Sequence, residues 1–184
     1  MSRKINVIFD VSGSFSADGK DSLQINMLIT LISATSKTEY SNKEIEIAFL
    51  EWGEEIYDIS LEDVFENYVE NCMKFGGVAN IDKLIDFIKA VEPQSRLLLL
   101  SDGLFSEGDI QAVKKIIQAK DDILVAVGVG ADSDKNSLAQ ITWPLIRCYS
   151  PENVLTALHE ICFRSYETKY NSNNVSNIHR RVRR

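Results

Sequence analysis

Apolar and polar residues alternate in blocks along this chain, and the blocks have two different periods. Arg3–Phe9 and Arg96–Leu100 are short runs, apolar on both sides and closed by polar residues. Runs of that length fit strands buried on both faces of a sheet. Ile123–Val129 is a third such run. Glu44–Trp52 alternates instead, with Ile45, Ile47, Phe49 and Leu50 inward, and Gly53-Glu54 turns it into Glu55–Ile59. A short turn between two such runs predicts a hairpin, so the third strand should run antiparallel at a sheet edge. Leu145–Tyr149 reads as a last short strand.

Helical spacing fills the intervals. Ser16–Lys20 is a polar loop, and Asp21–Lys37 then carries Leu23, Met27, Thr30, Ile32 and Ala34 at helical period. Its middle, Ile25–Ile32, is apolar nearly all round, which predicts a well-buried helix. Leu61–Met73 is a weaker, acidic helical segment. Ile81, Leu84, Ile85 and Ile88 follow i, i+3, i+4, i+7, and Pro93 ends that helix. Ser106 is placed to cap a helix through Lys120, with Ile110, Val113, Ile116 and Ile117 inward. A short helix runs to about Gln140, and Ser150-Pro151 opens a final one that buries Val154, Leu158, Ile161 and Cys162. Strands and helices that alternate, with apolar strands, predict an α/β fold of three layers. Its core is a doubly wound, mostly parallel six-stranded sheet with one antiparallel edge strand. The expected domain covers residues 1–168. Residues 169–184 have no periodicity and read as a flexible basic tail.

With 184 residues, 45% of them hydrophobic and 26% charged, the chain suits one globular domain with a proper core. No apolar run approaches the roughly 20 residues of a membrane-spanning helix. The first residues lack the pattern of a secretory leader, so the expected location is cytoplasmic, with no membrane partner. Cys72, Cys148 and Cys162 are an odd, widely spaced set that predicts reduced thiols rather than a zinc site or disulfides. His159 and His179 stand near no nucleophile in sequence. Net charge is −7, and from Asn171 onward only Arg180, Arg181, Arg183 and Arg184 are charged, which leaves −11 on the rest. An acidic body argues against a nucleic-acid groove. Four tail arginines would give at most a weak tether.

The candidate chemistry lies where strands end. Asp10-Val11-Ser12-Gly13-Ser14 follows the first apolar run and sets one carboxylate and two hydroxyls at alternating positions in a tight turn. Hard divalent cations such as Mg²⁺ take oxygen ligands of this kind. Asp102, in Ser101-Asp102-Gly103, ends the Leu run in the same way. In a doubly wound sheet ligands collect beyond the carboxyl ends of strands where strand order reverses. If the first and fourth strands are neighbours, Asp10, Ser12, Ser14 and Asp102 converge there, and the loop Gly76-Gly77-Val78-Ala79-Asn80 can close over them. Those glycines need only a loop with positive φ, and no phosphate-binding pattern is present.

The order of elements, together with Asp10-Val11-Ser12-Gly13-Ser14, Gly76-Gly77-Val78-Ala79-Asn80 and Leu100-Ser101-Asp102-Gly103, resembles a von Willebrand factor A (vWA) domain over about residues 3 to 165. The resemblance implies that Ser12 and Ser14 touch a divalent ion (Mg²⁺, or Mn²⁺ or Ca²⁺). Asp10 and Asp102 would act largely through bound water, and an acidic residue of a protein partner would fill the open position. This site is the metal-ion-dependent adhesion site, MIDAS. The family usually has threonine after the paired glycines. Val78 stands there and cannot coordinate, so the motif is partly degenerate, and Asn80 is the nearest substitute oxygen. A stand-alone domain of this kind is similar to bacterial adaptors that work beside ATPases, kinases or phosphatases in stress and defence operons.

Two other readings stay open. Phe9 to Ser14 also looks like the start of a haloacid-dehalogenase-type phosphohydrolase with Asp10 as nucleophile. That chemistry wants a carboxylic general acid two residues on, where Ser12 stands. The remaining reading is a structural subunit with a vestigial metal site.

Overall fold

The structure is a computed structural model that describes residues 3–36, 45–61, 64 and 72–163. Most of the acidic segment 61–73, His179, the boundary at 168 and the arginine tail lie outside the described residues. Six strands form one sheet: β1 (Arg3–Asp10), β2 (Ile45–Trp52), β3 (Ile56–Asp58), β4 (Arg96–Ser101), β5 (Ile123–Gly128) and β6 (Cys148–Tyr149). Their order is β3-β2-β1-β4-β5-β6. All neighbours are parallel except β2 and β3, where Leu50 faces Asp58 and Trp52 faces Ile56 across the expected edge hairpin. Among the described residues five helices flank the sheet: α1 (Lys20–Thr35), α2 (Ile81–Ala90), α3 (Glu107–Lys120), α4 (Lys135–Ile141) and α5 (Val154–Phe163).

Because successive side chains of a strand point to opposite faces, each central strand feeds two cores. Ile5, Val7 and Phe9 of β1, Leu98 and Leu100 of β4, and Val125 and Val127 of β5 pack with α1 and α5 on one face. Ile8, Leu97, Leu99, Leu124 and Ala126 pack with α2, α3 and α4 on the other. Hence β4 and β5 are buried at every position. Local chemistry fixes the helix starts. Ser106 accepts from the Asp109 amide while the Asp109 carboxylate accepts from the Ser106 amide, a reciprocal cap on α3. Asp134 accepts from the amides of Asn136 and Ser137 to start α4.

Three expectations needed adjustment. The last strand is only Cys148–Tyr149, because the Thr142 hydroxyl donates to the Leu145 carbonyl and accepts from the Arg147 amide, curling residues 142–147. Ser150 precedes a 3₁₀ turn, Pro151–Asn153, but gives its hydroxyl to Glu152 rather than to a backbone amide. The first long helix begins at Lys20 and buries that residue, whereas Ile29 and Thr30 face outward. None of the three cysteines is in a disulfide. No helix among the described residues is long and apolar enough to cross a membrane.

Candidate functional site

Strand order reverses between β1 and β4, and Asp10 and Asp102 stand at the ends of these two paired strands. The turn after β1 is held from both sides. Its Val11 amide donates to the Trp52 carbonyl at 2.9 Å, and the Ser12 amide donates back to Oδ1 of Asp10 at 3.0 Å. The paired-glycine loop is bonded directly to this turn, since the Gly13 amide donates to the Gly77 carbonyl and the Gly76 amide to the Val11 carbonyl, both at 2.9 Å. A Cβ on Gly13 would stand 3.1 Å from that Gly77 oxygen, and Gly77 itself has φ +68°. Close approach and a left-handed turn account for both glycines.

Hydroxyls and carboxylates meet in the resulting crevice. Oγ of Ser12 and Oγ of Ser14 are 3.1 Å apart, and Ser14 donates to Oδ2 of Asp102 at 2.7 Å. Asp10 and Asp102 are both buried. Asp10 has its pKa pushed up to about 6: burial disfavours its charge more than the hydrogen bonds from Ser101 and Ser12 favour it. The crevice, of about 260 Å³, runs between Ser12, Ser14, Asp102, Trp52 and Phe105. Val78 and Leu104 lie on its lining, 72% and 68% exposed, as two apolar lips.

Four of the five expected site residues, Asp10, Ser12, Ser14 and Asp102, therefore come together. Asn80 does not join them. Its side-chain oxygen accepts from the Asp82 amide at 3.1 Å as the N-cap of α2, and it does not line the crevice. An N-cap is the usual claim on an asparagine in front of a helix.

Sequence reasoning missed four supporting residues. Ser101 donates to Oδ2 of Asp10 at 2.7 Å. Gln24, fully buried, donates to the carbonyls of Asp10 and Leu100 at 3.0 and 3.4 Å and ties the two strand ends together. Lys20 places Nζ 3.4 Å from Oδ2 of Asp102 and 2.7 Å from Oδ2 of Asp132, in the loop after β5. The signal for two of them was present: Lys20, Gln24, Met27 and Leu31 fall on one helical stripe, so the buried face of α1 extends back through its polar start.

The donor set suits a hard cation. Neighbouring ligands of an octahedral Mg²⁺ stand about 2.9 Å apart, close to the spacing of the two serine oxygens, with a carboxylate adjoining each serine. Among the described residues no three acidic, histidine or cysteine side chains gather as a metal cluster. An ion here would rest on hydroxyls first and on the two carboxylates for charge.

No family model matches the sequence, and no curated protein does. Solved structures do match. Proximal thread matrix protein 1 from the mussel byssus is similar over 88% of this chain and 47% of its own, with a TM-score of 0.60 and 16% identity. A further structure of that protein, with a TM-score of 0.58, is described as having a zinc-occupied MIDAS motif. An aerotolerance-related membrane protein from Bacteroides fragilis matches over 88% of this chain and 98% of its own, with a TM-score of 0.61 and 12% identity. A von Willebrand factor type A protein from Catenulispora acidiphila matches over 88% and 42%, with a TM-score of 0.57 and 12% identity. This chain thus spans less than half of the mussel and Catenulispora chains. With its sheet order, antiparallel edge and flanking helices, the chain has the fold of a von Willebrand factor A domain.

Proposed function

We propose that this domain is a non-catalytic protein-interaction module whose crevice holds a divalent cation, Mg²⁺, Mn²⁺ or Ca²⁺, on Ser12, Ser14, Asp10 and Asp102. The observation that carries the reading is the convergence of these four residues at the reversal of strand order, with Ser14 and Asp102 bonded across 88 positions of the chain. A crevice lined by carboxylates repels an acidic partner until a cation reverses the local charge. Once bound, the cation offers an open position that suits a partner's Asp or Glu. The exposed side chains of Val78 and Leu104 flank that position and suit apolar residues beside the partner's acid. An adaptor in a bacterial stress or defence complex is the setting that fits best. The test is the double variant Asp10→Ala, Ser12→Ala, assayed for partner capture and for secondary structure by circular dichroism. Loss of capture with the fold intact supports the module. Undiminished capture refutes a role for the site.

Asp10 as a phosphohydrolase nucleophile has less support. Both its oxygens are hydrogen-bonded, to the Ser12 amide and the Ser101 hydroxyl, and the position for a general acid holds Ser12. Turnover of an aryl phosphate with Mg²⁺, lost in Asp10→Asn, would restore that reading.

A further inference from the structure

Lys20 is the one buried lysine among the described residues, and its seat is built for it. The side chain passes over Gly130, where an added Cβ would stand 2.6 Å from Cε, so glycine is required for the stem to lie there. The ammonium sits 5.6 Å from the centre of the Phe15 ring. It bridges Asp132, at 2.7 Å, and the same Oδ2 of Asp102 that accepts from Ser14, at 3.4 Å. Lys20 does not line the crevice, so it is out of reach of a partner's carboxylate. A buried cation is costly unless paired, and here two aspartates pair with it from the neighbouring loops that follow β4 and β5.

We propose that Lys20 is a resident countercharge to Asp102, holding the crevice in shape without a divalent ion and lowering the affinity of the site for one. The inference rests on the cation site described above and adds that part of its charge is already answered from within the protein, by a lysine that Asp102 shares with Asp132. Two carboxylates face the crevice. A fixed positive charge beside Asp102, shared though it is with the outlying Asp132, reduces the attraction that a divalent ion feels, and the low dielectric around the buried Lys20–Asp102 pair strengthens that effect. The missing hydroxyl at Val78 works in the same direction. Together they describe a site that takes up its ion weakly alone and tightly only when a partner's carboxylate adds the negative charge that Lys20 has offset. Lys20 is in this sense a positioning residue, acting through Asp102.

The experiment is a calorimetric titration of the full chain with Mn²⁺, in the wild type, Lys20→Met and Lys20→Arg, alongside thermal unfolding with EDTA and with Mn²⁺. Methionine keeps much of the stem and removes the charge; arginine keeps the charge. Lys20→Met should bind Mn²⁺ more tightly by about tenfold or more, and melt lower in EDTA with a larger rise on adding Mn²⁺. Lys20→Arg should show no gain in affinity. A Lys20→Met protein that folds only with Mn²⁺ also supports the proposal. It is overturned if folded Lys20→Met binds no more tightly than wild type, if Lys20→Arg tightens equally, or if Lys20→Met folds neither with nor without the ion. Where the wild type binds Mn²⁺ and Lys20→Met gains nothing, only the countercharge falls. Where no form binds, the cation site falls with it.

Discussion

The hydroxyl of Ser101 donates to Oδ2 of Asp10 across 2.7 Å, linking the ends of two strands that are 91 positions apart. The same Ser101 oxygen accepts from the Gly103 amide, so one side chain shapes both turns that lead into the crevice. Ser101→Ala should destabilise the protein by about 1–3 kcal/mol, the usual cost of a lost hydrogen bond to a buried charged group. It should also raise the pKa of Asp10 further. Urea unfolding and NMR titration of the carboxyl check the two effects separately.

Asp10 gives the metal-free protein a pH dependence of definite sign. Its folded pKa, about 6, lies above the unfolded value of 3.8. The folded state therefore binds that proton more tightly. The resulting stability is fully present below about pH 4 and is lost as pH rises through 6. The loss is at most about 3 kcal/mol, because each tenfold difference in proton affinity between the two states is worth about 1.4 kcal/mol. In EDTA, wild type should lose this component between pH 4 and 6 while Asp10→Asn, which has no carboxyl there to titrate, should not. Thermal melts of both proteins across that range measure the difference. Mn²⁺ should raise the melting temperature of the wild type more than that of Asp10→Asn, because the variant keeps only Asp102 of the two carboxylates.

Val78→Thr offers a gain rather than a loss. Val78 is 72% exposed on the crevice, so the change should alter stability by no more than about 0.5 kcal/mol. Supplying a hydroxyl at this position should raise Mn²⁺ affinity by about tenfold, measured by calorimetry. An unchanged affinity would mean that the loop does not face the ion.

Gly103 should not tolerate a side chain. Its φ is +78°, and a Cβ would stand 2.7 Å from the Asp134 carbonyl and from Cγ of Leu138. Gly103→Ala should cost about 2–4 kcal/mol through strain and displacement of α4. Denaturant unfolding reads the loss, and the Mn²⁺ affinity should fall with it because Asp102 is the preceding residue.

Fold and site were legible to different depths. The both-sided apolar runs of β1, β4 and β5 announced a covered parallel sheet, and the turn at Gly53 announced the edge hairpin. Asp10 and Asp102 were readable because each ends such a run. Lys20 and Gln24 were harder to see, since a polar residue on a buried stripe looks like a helix end until its partners, 82 and 76 residues away, are known. Asn80 was misread for a related reason. Its residue type fits both a ligand and a helix cap, and only the backbone direction at Ile81 decides between them. The last strand came out shorter than expected because hydrogen bonds from Thr142 outweigh the apolar character of Leu145 and Ile146.

The backbone bonds that join Val11 and Gly13 to Gly76 and Gly77 have a kinetic consequence. They stitch two loops into one floor, so a partner docking there as proposed would meet a backbone already bonded in place and forfeit little conformational entropy. Recognition at such a floor resembles a key entering a lock. Differences among partners should therefore emerge in how long they stay rather than in how fast they arrive.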